Sequence, residues 1–320
     1  MEEILSIQHL SIYFSEKTKA VDDFNFNISK GEIVGLVGES GSGKSSVALS
    51  VMGFLARQKN CQIQGEILFD GKALQDLKEK EWCKIRGQGI GMIYQEPMTS
   101  LNPVVKIKKQ IEEVLKLHTK LTRLQRRDKI QELLEAVKIK DIQWVMESYP
   151  FQLSGGMRQR IVIAMALAAE PKLLIADEPT TALDVRVQLE ILELLKSLAR
   201  EREIAILLIT HDLGVVADLC DRIGVMYGGQ LMEMLEGSHF TTESKHPYTQ
   251  GLIKAYPENA IKGRALYTLA DKEEGTQRLE GCAFQNRCEY AREKCSRLRP
   301  MITKVNESAA VFCWLYEGEQ

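Results

Sequence analysis

The stretch Gly38-Glu39-Ser40-Gly41-Ser42-Gly43-Lys44-Ser45 sets three glycines, a lysine and a hydroxyl at the spacing of a phosphate-binding loop. Glycines let the backbone wrap close to phosphate oxygens. Its N–H groups then point inward, and the N-terminus of a following helix adds a favourable dipole. In such a loop Lys44 pairs the β- and γ-phosphates and the Ser45 hydroxyl ligates Mg²⁺. Gly38, Ser40, Gly41, Gly43 and Ser46 complete the candidate nucleotide contacts. Far downstream, Leu173-Leu174-Ile175-Ala176-Asp177-Glu178 is an apolar run ending in two carboxylates. Asp177 is suited to hold Mg²⁺ through water, and Glu178 to polarise an attacking water, the positioning that phosphoryl transfer requires. A glycine loop or an acidic turn alone can arise by chance. The pair of them, with a strand before the loop and a helix after it, argues for one ATP-hydrolysing site.

Two further groups carry chemistry. Ser154-Gly155-Gly156 opens a helix and offers a second phosphate nest, remote from the first. Cys282, Cys288, Cys295 and Cys313, separated by five, six and seventeen residues, crowd the end of the chain. Four thiolates suit Zn²⁺ or a [4Fe-4S] cluster, and the spacing is not the two-residue knuckle of common zinc sites. In a reducing compartment, metal binding is the expected use of such a cluster and disulfides are not.

The elements that must position these groups are legible. Leu10, Ile12 and Phe14, then Phe24, Phe26 and Ile28, alternate as half-buried strands do. Lys30-Gly31-Glu32 is a turn. Ile33–Val37 reads as a buried strand leading into the glycine loop, and Ser45–Leu55 as a helix. Gln64–Asp70 is a strand closed by the Asp70-Gly71 turn. Residues 104 to about 147 are charged and helical, with Ile111, Val114 and Leu115, then Ile130, Leu133, Leu134 and Val137, at three-to-four spacing. A second strand–loop–helix series runs from Leu173 to about Leu235, His246-Pro247 marks a break, and residues 271–279 are a polar loop.

Composition bounds the partners. Hydrophobic residues make up 44% of 320, enough for a sizeable core. A net charge of -2 argues against a nucleic-acid binder. The longest apolar runs, Ile161–Ala169 and Ile204–Ile209, are core-sized and too short to span a bilayer. Met-Glu-Glu-Ile lacks the features of a signal peptide. The expectation is a cytoplasmic chain whose membrane role comes through partners.

Leu153-Ser154-Gly155-Gly156-Met157-Arg158-Gln159-Arg160 resembles the signature sequence of ABC ATPases. Gln95-Glu96-Pro97-Met98-Thr99-Ser100-Leu101-Asn102-Pro103, His246-Pro247-Tyr248-Thr249 and the four-cysteine tail are similar to ATPases of the oligopeptide, dipeptide and nickel importers. The resemblance covers essentially the whole chain. It implies an α/β P-loop fold with a RecA-like core, an antiparallel β subdomain, a helical subdomain and a small cysteine-rich C-terminal lobe. The boundaries it implies are an ATPase domain over 1–235, with the helical subdomain at about 90–165, and an extension over 236–320.

The resemblance also assigns residues. Ser154, Gly155 and Gly156 face the γ-phosphate held by a second subunit, and Gln95 links Mg²⁺ to the membrane partner. Ala182-Leu183-Asp184 crosses the dimer interface, and His211 meets the γ-phosphate. Phe14, with Tyr13 as rival, stacks on adenine. The implied assembly has a second ATPase, a paralogue in preference to an identical copy with the homodimer left open, two permeases docking near 95–102, and an extracytoplasmic binding protein. The chain then lies on the cytoplasmic face of the membrane. Its cofactors are ATP, Mg²⁺ and a cluster in the cysteine tail, iron–sulfur in preference to zinc. A soluble ABC protein acting on ribosomes or DNA is disfavoured, since one cassette, a short helical insert and no basic tail are present. An exporter is disfavoured by the His-Pro-Tyr-Thr segment and the cysteines. The cargo is not legible.

Overall fold

In the computed structural model the described residues are 2–15, 18–94, 100–181, 183–256, 267–269, 281–305 and 309–318. Two sheets organise them. The smaller is antiparallel, in the order β2-β1-β4-β5, from β1 (Glu3–Ser15), β2 (Thr18–Ser29), β4 (Gln62–Phe69) and β5 (Lys72–Ala73). The larger runs β11-β12-β10-β9-β3-β8-β7-β6. Its strands are β3 (Ile33–Val37), β6 (Ile90–Ile93), β7 (Leu173–Asp177), β8 (Ala205–Ile209), β9 (Arg222–Tyr227), β10 (Gln230–Glu236), β11 (Thr303–Lys304) and β12 (Ala309–Val311). From β9 to β6 the neighbours are parallel.

The central strands read as unbroken apolar runs because both sheet faces are covered. β3, β7 and β8 are buried at every residue. Their pleat sorts side chains between two cores. Ile33, Val37, Leu174, Ala176, Ile206 and Leu208 face the helices, while Val34, Leu36, Leu173, Ile175, Leu207 and Ile209 face the antiparallel sheet.

The helices are α1 (Lys44–Val51), α2 (Glu79–Lys84), α3 (Ile107–His118), α4 (Arg123–Ala136), α5 (Ile142–Glu147), α6 (Gly155–Leu167), α7 (Val185–Arg202), α8 (Leu213–Leu219), α9 (Phe240–Glu243), α10 (Pro247–Ala255) and α11 (Glu293–Arg297). α3 to α6 pack on one another through Ile107, Ile111, Leu115, Leu133, Leu134, Val145 and Ile161. Their starts are capped as the sequence allows: Thr122 caps α4 and Asp141 caps α5. No helix among the described residues is long and apolar enough to cross a membrane.

The structure differs from the sequence reading in one helix. The helix expected over Ser45–Leu55 ends at Val51, because Gly53 takes φ +68° under the Trp82 ring. The chain end adds two strands to the main sheet: Glu233, Met234 and Leu235 of β10 pair Val311, Ala310 and Ala309 of β12, and β11 pairs β12.

Candidate active site

The phosphate loop leaves the end of β3 and enters α1. Its shape requires glycine at two positions. Gly38 adopts φ +149°, and a Cβ there would stand 2.1 Å from the Met226 carbonyl oxygen. Gly43 caps α1 at φ +106°, with the Ala20 carbonyl oxygen 2.6 Å from where a Cβ would be. The β9–β10 turn backs the loop, Gly229 N–H donating to the Ser42 carbonyl at 3.0 Å. Lys44 is buried and donates to the carbonyls of Gly38 (2.8 Å) and Glu39 (2.9 Å) and to Ser42 Oγ (3.2 Å). Burial lowers its pKa, and the carboxylates of Glu178, Asp177 and Glu39 oppose that.

β7 ends beside this loop. Asp177 is buried, and its Oδ1 accepts from Ser45 Oγ at 3.3 Å, so the two expected Mg²⁺ ligands converge. Burial raises the Asp177 pKa, the Ser45 bond lowers it, and a bound cation would favour the carboxylate further.

Glu178 sits in the left-handed region at φ +47°, its N–H held by the Ile209 carbonyl at 2.8 Å. A non-glycine residue in that conformation is strained, and the surrounding bonds fix where its carboxylate points. Oε2 accepts from Thr181 Oγ1 (3.0 Å), and Oε1 lies 3.3 Å from His211 Nδ1. The acid and the histidine, read separately in the sequence, thus share one place, with His211 largely exposed.

Ser154 caps α6, its Oγ accepting from Met157 N–H at 3.3 Å, and Asp184 caps α7, accepting from Val187 N–H at 3.0 Å. Gly155 and Gly156 form the first turn of α6, and a Cβ on Gly156 would meet Val187 at 2.7 Å. Gln159 on α6 is fully buried and donates to the Pro179 carbonyl at 2.5 Å, tying this helix to the residues after Glu178. Ser40, Gly41 and Ser46 lie in the loop and first turn as expected. Phe14 is half-buried and packs on the core beneath the antiparallel sheet, while Lys19 stands over the ring of Tyr13. Gln95, the docking residues to Thr99, and Ala182 lie outside the described residues.

The four tail cysteines come together: Cys282, Cys288, Cys295 and Cys313 line one cavity with His246, Phe284 and Trp314. None of the seven cysteines is in a disulfide. Burial pushes the Cys282 thiol up to about 12 and Cys313 to about 11, and raises Cys288, with the neighbouring sulfurs adding to the effect. Among the described residues no three His, Cys, Asp or Glu side chains are set as a group to hold a metal ion. Buried His246 accepts at Nδ1 from Tyr248 N–H (3.1 Å), which places its proton on Nε2. Nε2 has no hydrogen-bond partner among the described residues.

Sequence reasoning missed three contacts. Glu39 N–H donates to the Tyr248 hydroxyl (2.9 Å), and its carboxylate pairs with Arg287 (2.8 and 3.0 Å). The third is the buried Gln159 bridge. Residue type offered no signal for the first two, since the partners are 209 and 248 positions apart.

A phosphate loop between a buried parallel strand and its helix, faced by an acidic strand end, defines a P-loop ATPase. The family profile described as "ABC transporter" matches residues 21–181, and that described as "Oligopeptide/dipeptide transporter, C-terminal region" matches 232–295. The oligopeptide transport ATP-binding protein AppD of Bacillus subtilis (strain 168) is 44% identical over 330 residues, covering 100% of this chain and 98% of the relative. Among solved structures, cbiO1 of Clostridium perfringens, part of the ABC transporter complex cbiONQ, superposes with TM-score 0.67 at 30% identity, over 76% of this chain and 92% of that one. The ATP-binding cassette MJ0796, a dimer in a post-hydrolysis state bound to ADP and Pi, superposes with TM-score 0.63 at 29% identity, over 73% and 98%. The chain belongs to the ATP-binding, ATP-hydrolysing subunits of ABC transporters, in the oligopeptide/dipeptide branch.

Proposed function

We propose that this chain powers the import of oligopeptides, working from the cytoplasmic face of the membrane through two permease subunits. The observation that carries it is the convergence of Lys44, Ser45, Asp177, Glu178 and His211 on one site in a chain whose residues 232–295 match the oligopeptide/dipeptide family. Lys44 and the loop N–H groups hold the β- and γ-phosphates, and Ser45 and Asp177 hold Mg²⁺. Glu178 polarises the attacking water, and His211, beside it, meets the γ-phosphate. The Ser154 nest, at the start of its own helix, binds the γ-phosphate on a second ATPase subunit, a paralogue, so each ATP is sandwiched between two chains. Asp184 lies at that interface, Phe14 packs on adenine, and Gln95 with the loop to Pro103 reports to the permease. The division at residue 235 separates the cassette from a family-specific extension over 236–320. In membrane vesicles bearing the assembled transporter and its binding protein, labelled oligopeptide uptake should require ATP, and Lys44→Ala should abolish it. Uptake that survives Lys44→Ala overturns the reading.

The tail is proposed to hold a metal centre, iron–sulfur in preference to zinc. The support is the gathering of four thiols on one cavity, together with the His246 Nε2–H that has no partner there. Cys282, Cys288, Cys295 and Cys313 would supply the thiolates, and His246 a hydrogen bond to sulfur. The thiols must turn inward to ligate. The centre would be a structural staple for the tail, which lies outside every ATP motif. Anaerobic purification should give iron and sulfide near four per chain by this reading. Zinc near one per chain replaces iron, and metal-free folded protein with four titratable tail thiols refutes both.

A further inference from the structure

The P-loop carries a carboxylate of its own. Glu39 stands between Gly38 and Ser40, where the loop must accept a polyanion, and its charge acts on the Lys44 ammonium. A negative side chain there opposes nucleotide binding unless a cation cancels it. That cation comes from the far end of the chain. Arg287 lies between Phe284 and Cys288 in the short turn that follows the first cysteine. Its side chain is only 8% exposed, lies over the rings of Tyr227 and Phe284 at 5.5 and 6.0 Å, and directs Nη1 at both Glu39 oxygens. The same nitrogen donates to the Tyr227 hydroxyl at 3.2 Å.

The second contact is equally specific. Tyr248, fully buried on α10, packs its ring on Tyr227 and Phe284 at 4.7 and 5.1 Å and accepts the Glu39 N–H. That N–H is therefore turned away from any phosphate, and the loop's curvature at Glu39 is set by the hydroxyl that holds it. α10 is in turn anchored to the main sheet, because the buried Glu233 carboxylate on β10 accepts from the N–H groups of Lys245 and His246 at 2.6 and 3.2 Å. The turn carrying Arg287 is anchored by Gln230 on the same strand, which accepts from Ala283 N–H (3.0 Å) and donates to the Gly281 carbonyl (3.2 Å).

We infer that the C-terminal extension completes the ATP site from behind: Arg287 neutralises Glu39 and Tyr248 sets the backbone there, so the phosphate loop binds nucleotide more tightly with the extension docked. Both are positioning residues, acting on phosphate through Glu39. The inference rests on the reading of Gly38–Ser45 as the ATP loop. It gives the His-Pro-Tyr-Thr segment a physical task, with proline starting the helix and tyrosine reaching the loop.

The test is MgATP titration of the full-length chain by calorimetry, with KM and kcat of ATP hydrolysis measured alongside. Arg287→Met should weaken MgATP binding roughly three- to tenfold and raise KM in proportion, with kcat little changed, because the uncancelled charge repels the nucleotide equally in the bound ground state and in the transition state. Adding Glu39→Gln should restore affinity to within about twofold of the parent, and Arg287→Lys should stay close to the parent. Affinity unchanged in Arg287→Met overturns the inference. So does a loss that Glu39→Gln does not rescue, since a merely structural arginine would give that result. If Arg287→Met does not fold, Glu39→Gln alone decides: affinity at or above the parent supports charge cancellation, and weaker binding overturns it. A parent chain that binds no MgATP, with Lys44→Ala indistinguishable from it, sinks the ATP-loop reading itself.

Discussion

Glu178 shows how much one side chain can depend on its backbone. Its carboxylate reaches His211 and Thr181 because the residue sits at φ +47°, a conformation held by the Ile209 carbonyl. Glycine there would keep the turn and lose the chemistry. A surface carboxylate makes the opposite case. Glu147 is pulled down to about 2 by hydrogen bonds from Lys108 and Lys106, although half of its side chain is exposed. A carboxylate depressed in the folded state contributes stability above its unfolded pKa, roughly 4.3, and loses that contribution as pH falls through the folded value. Glu147→Gln should therefore melt slightly below the parent at neutral pH, with the gap closing between about pH 4.3 and about 2. A gap that persists or widens at low pH in calorimetric scans would contradict the pairing. The residues of the phosphate loop and the acidic strand end were legible in the sequence because their chemistry fixes residue type and local spacing. Arg287 and Gln159 were not, since an arginine or glutamine acquires such a role only from what folding brings beside it.

Among the elements, α6 joins two sites. Ser154 opens it, and Gln159, one turn on, donates to the carbonyl that follows Glu178. The helix that presents the second nest is thereby tied to the strand end that positions the water. Gln159→Leu keeps the volume and leaves the Pro179 carbonyl buried without its donor. It should cost about 1–3 kcal/mol in urea unfolding and lower ATP turnover more than MgATP affinity. Parental stability and turnover together would show the bridge to be incidental. Strands were the easiest elements to read, because period two and the turn residues at Gly31 and Gly71 are local signals. The end of α1 at Val51 was not legible, because Trp82, distant in sequence, covers Gly53.

At the scale of the whole molecule, the end of the chain is built into the main sheet. β12 extends the main sheet on β10, and the cysteine cavity shares Phe284 with the aromatic cluster that carries Tyr248 and Arg287 to the phosphate loop. The sequence showed this region as a cysteine-rich tail, and only strand pairing over long separation shows that it packs behind the ATP site. Cargo selection was illegible for a different reason: no residue type or spacing in the chain carries a signal for a particular cargo.

If two such sites close on ATP and Glu178 fires hydrolysis, Glu178→Gln, introduced into this chain alone or with the paired ATPase of the assembled transporter, should trap the closed state. With MgATP, native mass spectrometry should find two ATPase subunits holding two unhydrolysed nucleotides, while steady-state turnover falls at least about a hundredfold. Parental turnover, or subunits that stay apart in saturating MgATP, would contradict it.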